Sequence, residues 1–434
     1  MTEYWKNKKF KAFLVLLVLA FFAGSLISPF QIKKANRLSV DFPSYYYSAD
    51  LSFEKGLTPY SQSNWELVRS IYTDGDLFAF LYPPTTLLFF RPFILFDYQT
   101  ALSIMDWLNS VLILVFLYVF FVKILEWKLD NLVLILAIAY VYHFHPLNIT
   151  LNNSQVGIWL LLSVCLAWWG TQEGWHPFWI ALPLVIGTAL KIYPILFLAI
   201  HFFRKDYRTI VHFLLLLIVV CVIATAVLPQ GIWQDWYESA ASKGYAADVQ
   251  GIKTATPANQ SISGFLTRLF YGRNQRFDPL LQPPDWADMA PYIATGIVML
   301  VSLAATWMLS RRGSDPNNLS IVFCIWLLAI FLVAPFSWDH HLVHLLPAIL
   351  IGVQLAWKRK KVFPLLFTIA IALFLAYDFP SNDPFFRRGV WTLLISSQLF
   401  AVGLLWIYFI YLSLRSAFSP SGLQFTSQQS PTAQ

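Results

Sequence analysis

The chain has 434 residues, 58% of them hydrophobic and only 12% charged, with a mean hydropathy of +0.59 and a formal net charge of +7. A soluble domain carries about a quarter of its residues as Asp, Glu, Lys and Arg, so a soluble globule is excluded. The continuous apolar runs also exclude a β-barrel, whose strands alternate. What remains is an all-α integral membrane protein. Its positive balance calls for no nucleic acid, because short basic loops beside anionic membrane lipids account for much of it.

In chain order, the run from Phe10 to Phe30 is too long for a secretory signal and precedes no Ala-x-Ala-like site. It reads as a retained anchor, with Lys6, Lys8, Lys9 and Lys11 in the cytoplasm. With 10–30 as the first, further spans are predicted over 98–124, 131–146, 155–170, 177–190, 192–203, 208–228, 291–310, 318–336, 341–357, 361–378 and 389–413, about 12 transmembrane helices in all. The fifth and sixth are short and meet at Lys191, Tyr193 and Pro194, a polar break that membranes tolerate only against protein or a water-filled cavity. Short turns on one side hold Lys123 and Lys128, Arg204, Lys205 and Arg208, Arg311 and Arg312, Lys358 to Lys361, and Arg415. By the positive-inside rule that side is cytoplasmic, and both termini lie there. Two large loops, 31–97 and 229–290, fall on the extracytoplasmic side. Residues 1–415 are expected to form a single polytopic domain and 416–434 a disordered cytoplasmic tail, Ser/Gln/Pro-rich from Ser419 onward. Cys165, Cys221 and Cys324 lie inside apolar runs and read as small buried hydrophobes. No Walker or glycine-rich phosphate loop appears, which argues against an ATP-driven pump.

The polar residues that carry chemistry cluster toward the outer side. Asp41 opens Asp41-Phe42-Pro43-Ser44 and precedes three tyrosines, Tyr45 to Tyr47; it reads either as a helix cap or as a general base, with Asp50 and Glu54 as local competitors. Tyr82-Pro83-Pro84 reads either as a short interfacial helix starting at Pro84, with proline in its first turn, or as a rigid loop. Asn153-Ser154-Gln155 opens the fourth span, where amides either cap a helix or bind a hydroxyl-rich ligand. Lys191, flanked by apolar helices, marks a site or an ion pair unless it snorkels. Asn259-Gln260-Ser261, with Arg268 downstream, forms a second amide cluster. In Trp338-Asp339-His340-His341, an α-helix over 339–350 would place His340 and His344 on one face. That pair lacks a third ligand for zinc, so hydrogen bonding to a lipid phosphate is the preferred reading.

Taken in order, Asp41, Gly56-x-x-Pro59-Tyr60, Tyr82-Pro83-Pro84, Asn153-Ser154-Gln155, Lys191-x-x-Pro194, Asn259-Gln260-Ser261 with Arg268, and Ser337-Trp338-x-His340-His341 resemble glycosyltransferase family 87, within the C superfamily of membrane glycosyltransferases. The resemblance covers about residues 10–415 and departs at Ser154, where many members place glycine. It implies a glycosyltransferase C-type fold and an active site facing away from the cytoplasm, here across a bacterial plasma membrane. It implies an inverting transfer of a sugar, mannose by family default, from a polyprenyl-phosphate donor to a hydroxyl of a glycolipid or glycan acceptor. Asp41 takes the position of the general base, and His340 or His341 that of a phosphate or acceptor contact. Lys191 and Arg268 are the electrostatic candidates for the donor phosphate, and Tyr82, Asn153, Gln155, Asn259 and Gln260 complete the expected substrate-binding set. No cofactor is expected, since the activated donor arrives ready-made; Asp50 is the only acid near Asp41 that could share a divalent cation.

Two other readings compete. A secondary transporter or flippase suits a broken helix at Lys191, but would place its ionisable groups near the midplane and not at one surface. An oligosaccharide polymerase or ligase would use the arginines of the second loop, Arg268, Arg273 and Arg276.

Overall fold

The structure, a computed structural model, describes residues 41–71, 79–126, 131–242, 254–272, 279–312, 315–377 and 383–418. The predicted first span with its lysines, Lys128, Arg273, Arg276 and the tail from Ser419 lie outside the described residues.

Helices dominate, and no β-strand occurs among the described residues. The first loop contributes α1 (Phe42–Glu54), α2 (Gln62–Ile71) and α3 (Thr86–Phe90). The bundle follows with α4 (Tyr98–Leu117), α5 (Asn131–His143), α6 (His145–Asn152), α7 (Gly157–Glu173), α8 (Pro177–Leu190), α9 (Leu198–Phe203) and α10 (Tyr207–Val227). After the second loop, which carries α11 (Ile262–Phe270), come α12 (Ala290–Ser310), α13 (Pro316–Val333), α14 (Leu346–Lys358), α15 (Val362–Ala376) and α16 (Ser397–Phe418).

Every predicted span from residue 98 onward falls on helix. By length and composition, however, six helical stretches reach membrane-spanning size, or seven if α6 and α7 count as one bent span. The other predicted spans are short apolar helices, so twelve full crossings are not what the described residues display. The last predicted span begins too early. Residues 389–395 form short turns, and α16 starts after Ser396. The cause is local: Gln260 Nε2 holds the Ile395 carbonyl at 2.7 Å and Arg268 Nη2 holds the Ser396 hydroxyl at 2.7 Å, fixing that segment to the second loop. The short interfacial helix starts at Thr86, two residues beyond the predicted Pro84.

Two hydrophobic cores meet near one end of the bundle. The larger fills the space between the long helices, where Trp168 stacks on Phe323 with centroids 4.8 Å apart. Polar threads tie α12, α13 and α16 there: Trp326 Nε1 donates to Thr306 at 3.0 Å and Trp406 Nε1 to Ser302 at 3.1 Å. The smaller core is an aromatic vault built by α1 and α3, in which Tyr45 stacks on Phe90 with centroids 4.5 Å apart. Trp159 and Tyr193 pack on both cores.

Candidate active site

Breaks in apolar helices supply the polar groups. The first separates α6 from α7, which meet at 120°. The second follows α8, where Lys191 is extended (φ −150°, ψ 128°). Breaking a helix frees its terminal carbonyls. Here Thr85 and Thr86 donate their hydroxyls to the Ala189 carbonyl at 2.7 and 3.2 Å, and Thr86 also reaches Leu190 at 3.0 Å. The third is the segment between α13 and α14 that carries the histidines.

Asp41 stands at the N-cap position of α1, but its side chain makes no capping hydrogen bond. The carboxylate instead accepts from the side chains of Gln155 and Asn153 in the α6–α7 turn. Burial holds its pKa above the ordinary carboxylate value, while Gln155, the charge of Lys191 and Asn153 oppose that rise. Asp50 is held 3.7 Å from Lys55, and Glu54 pairs with Arg91, so both competing acids are spent on part-exposed ion pairs.

Gln155 is oriented by two phenols. Tyr45 donates its hydroxyl to Oε1 at 2.6 Å, which leaves Nε2 as the donor, 3.4 Å from the Tyr82 hydroxyl. Burial raises the pKa of both phenols, so they remain protonated donors at neutral pH.

Lys191 is only 7% exposed. Its ammonium lies 3.1 Å from His341 Nε2 and 5.1 Å from the centroid of the Tyr82 ring, a cation–π arrangement. An ammonium can only donate, so Nε2 must accept and the His341 proton must sit on Nδ1, where the Phe336 carbonyl takes it. The Trp338 N–H also lies 3.3 Å from Nδ1. With that nitrogen protonated, the approach is a contact and not a hydrogen bond. Both nitrogens of His341 are thereby committed. His340, whose ring centroid is 4.5 Å from that of His341, has a buried Nε2 with no hydrogen-bond partner among the described residues.

The expected pairing of His340 with His344 does not form. Residues Asp339–Leu345 are a 3₁₀ helix, in which i and i+3 eclipse, so the rings of His341 and His344 come together instead, tilted with centroids 6.1 Å apart. His344 Nε2 is 3.2 Å from the Gly157 carbonyl. Among the described residues no three His, Cys, Asp or Glu side chains gather as a metal would require.

The second amide cluster braces the histidine segment. Asn259 Nδ2 donates to the Thr254 and Pro335 carbonyls at 3.0 and 3.3 Å, while its Oδ1 accepts from the Ser337 N–H at 3.0 Å. The Gln260 N–H donates to the Ser337 carbonyl at 2.7 Å. Arg268, 2% exposed, directs Nη1 and Nη2 to the carbonyls of Ala255, Thr256 and Asn259 and to Ser396. Amides and guanidinium suit ligand binding; in the structure Asn259 and the Gln260 backbone brace residues 335–337, while the Gln260 amide and Arg268 tie the loop to residues 395–396, together a clamp. The clamp is tight. A Cβ at Gly264 would stand 2.7 Å from the Asn259 carbonyl oxygen. Gly264→Ala is therefore expected to cost ~1–3 kcal/mol through overpacking, read as a lower melting temperature in detergent; an unchanged melt would show the brace to be slack.

Residues that sequence reasoning missed lie behind the α6–α7 turn. Ser154 has φ +49°, a left-handed conformation that costs a non-glycine residue about 1 kcal/mol. Its hydroxyl donates to Asp106 Oδ1 at 2.7 Å. One turn along α4, Asn109 Nδ2 donates to the Gln155 carbonyl at 3.2 Å and Oδ1 accepts from Trp159 Nε1 at 2.8 Å. The available signal was an Asp and an Asn three residues apart within an apolar span.

The molecule is thus a multi-pass helical membrane protein with a carboxylate and a buried ammonium–imidazole pair gathered at breaks in its helices. The chain belongs to glycosyltransferase family 87, whose sequence model matches residues 80–335, more than half of its length. It is 26% identical over 321 residues to the polyprenol-phosphate-mannose-dependent alpha-(1-2)-phosphatidylinositol mannoside mannosyltransferase of Mycobacterium tuberculosis (strain ATCC 25618 / H37Rv), covering 69% of each chain. It is 25% identical over 326 residues to the protein of the same description from Mycolicibacterium smegmatis (strain ATCC 700084 / mc(2)155), again covering 69% of each.

Proposed function

We propose that the protein transfers mannose from a polyprenyl-phosphate donor to a hydroxyl of a glycolipid acceptor on the extracytoplasmic side, with inversion at the anomeric carbon. The descriptions of its two relatives support the donor and the acceptor class. The observation that carries the mechanism is Asp41, free of any capping role and held by two amides near the charge of Lys191.

An alcohol binds its proton too tightly to attack unaided at neutral pH. Asp41 takes that proton as the acceptor oxygen bonds to the anomeric carbon and the bond from that carbon to the phosphate oxygen breaks. Such general-base help is worth ~10²–10⁴-fold in rate. The leaving phosphate gains charge, and Lys191 with the unpaired Nε2 of His340 stabilises it best where water is scarce. A single base opposite the leaving group is the inverting arrangement, so a β-linked donor gives an α-linked product. The phosphate needs no protonation, which removes the need for a general acid. Orientation follows from charge: Arg359 and Arg415 sit at the far ends of α14 and α16, whose near ends adjoin the histidines and the Arg268 clamp. By the positive-inside rule the far ends are cytoplasmic and the site faces outward.

The test is to supply membranes containing the protein with radiolabelled polyprenyl-phosphate mannose, and separately with labelled nucleotide-mannose in the presence of an inhibitor of endogenous polyprenyl-phosphate-mannose synthesis. Label is expected to reach a lipid-extractable glycolipid from the first donor alone. Transfer from the nucleotide sugar alone would overturn the proposal.

A further inference from the structure

We propose that Asp106 is a positioning residue: by holding Ser154 in its left-handed turn, it aims the amides of Asn153 and Gln155 at Asp41. This rests on the reading of Asp41 as the base.

The argument begins with the turn. Here the two amides converge on one carboxylate across a tight backbone reversal, which Ser154 makes at φ +49°. Glycine would adopt that conformation freely; serine resists it. The resistance is met by the 2.7 Å bond from Ser154 to Asp106 and, one residue on, by the 3.2 Å bond from Asn109 to the Gln155 carbonyl. Ser154 and Asn109 are fully buried. A carboxylate inside an apolar span is costly and persists where it has a task. Asp106 does not touch Asp41; it acts through the turn.

The consequence reaches the chemistry. Asp41 is faced by the amides of Asn153 and Gln155 from the turn, by the Lys191 ammonium from the break after α8, by Tyr45 from its own helix, and by Tyr82 from the segment before α3. Hydrogen bonds to a carboxylate favour its ionised form. If the turn relaxes, the two amides leave, burial dominates, and Asp41 keeps its proton to higher pH. A misaimed base is also a slow one, and a displacement of about 1 Å can cost 10²-fold.

The experiment uses four full-length proteins in native membranes: wild type, Asp106→Ala, Asp106→Asn, and Asp106→Ala combined with Ser154→Gly. The first readout is the pH profile of mannose transfer from polyprenyl-phosphate mannose. The second needs no donor: the pH dependence of Asp41 modification by dicyclohexylcarbodiimide, which reacts with the protonated carboxyl, followed by mass spectrometry. Asp106→Ala is expected to slow transfer by about tenfold or more, and to move both the acid limb and the modification midpoint to higher pH. Asn at 106 can still accept from the Ser154 hydroxyl, so it should restore both. Glycine at 154 no longer needs the anchor, so the double variant should recover most of the loss. An unmoved modification midpoint in Asp106→Ala, or an equal loss in the glycine background, would overturn the proposal. Absence of transfer by the wild type would instead count against the donor assignment, while the carbodiimide midpoints still decide the role of Asp106.

Discussion

Asp41→Asn is expected to reduce mannose transfer by ~10²–10⁴-fold, with the protein still inserting and folding. Asparagine has the same shape and can keep the contacts of the Gln155–Asn153 turn, but it cannot accept the acceptor's proton. The readout is turnover in membranes at saturating donor, beside a detergent melting curve. Since burial holds the Asp41 pKa above its ordinary value, the wild type should lose activity as the pH falls through that raised value, because the base becomes protonated. Asp41→Asn should lack this limb in whatever activity it retains. Near-normal turnover by the variant would remove Asp41 from the role of base.

Lys191→Met is expected to depress kcat/KM for the donor by ~10²–10³-fold, the range seen when a preorganised group facing developing charge is removed. Its effect on the acceptor KM should be small. Methionine keeps the apolar stem between Tyr82 and His341 but removes the ammonium that lies 3.1 Å from Nε2. The measurement is initial rate against donor concentration at fixed acceptor, then the reverse. A loss confined to the acceptor axis would place Lys191 outside the phosphate site.

Much of this was legible in the chain. Apolar runs announced the helices, and the isolated charge of Lys191 announced a break. The character of Asp41 was legible only as a choice between cap and base. That its carboxylate makes no cap and meets the α6–α7 turn is visible only in the folded chain, since no local pattern links residues so far apart. Histidine spacing misled for a physical reason. The i, i+4 rule assumes an α-helix, and Asp339–Leu345 winds more tightly, which pairs His341 with His344 and leaves the imidazole of His340 for another partner. Asn259, Gln260 and Arg268 have residue types that suit ligands and carbonyls equally, and only the folded chain shows the carbonyls they hold beside the backbone bridge between Asn259 and Trp338.

The two threonine hydroxyls that cover Ala189 and Leu190 bear on fidelity. Bare carbonyls beside Lys191 would recruit solvent, and in the proposed reaction a solvent molecule is itself a competent nucleophile. A transferase that let it in would squander its activated donor as free sugar. Sealing the broken helix with side chains of its own chain lets the intended alcohol compete without that rival.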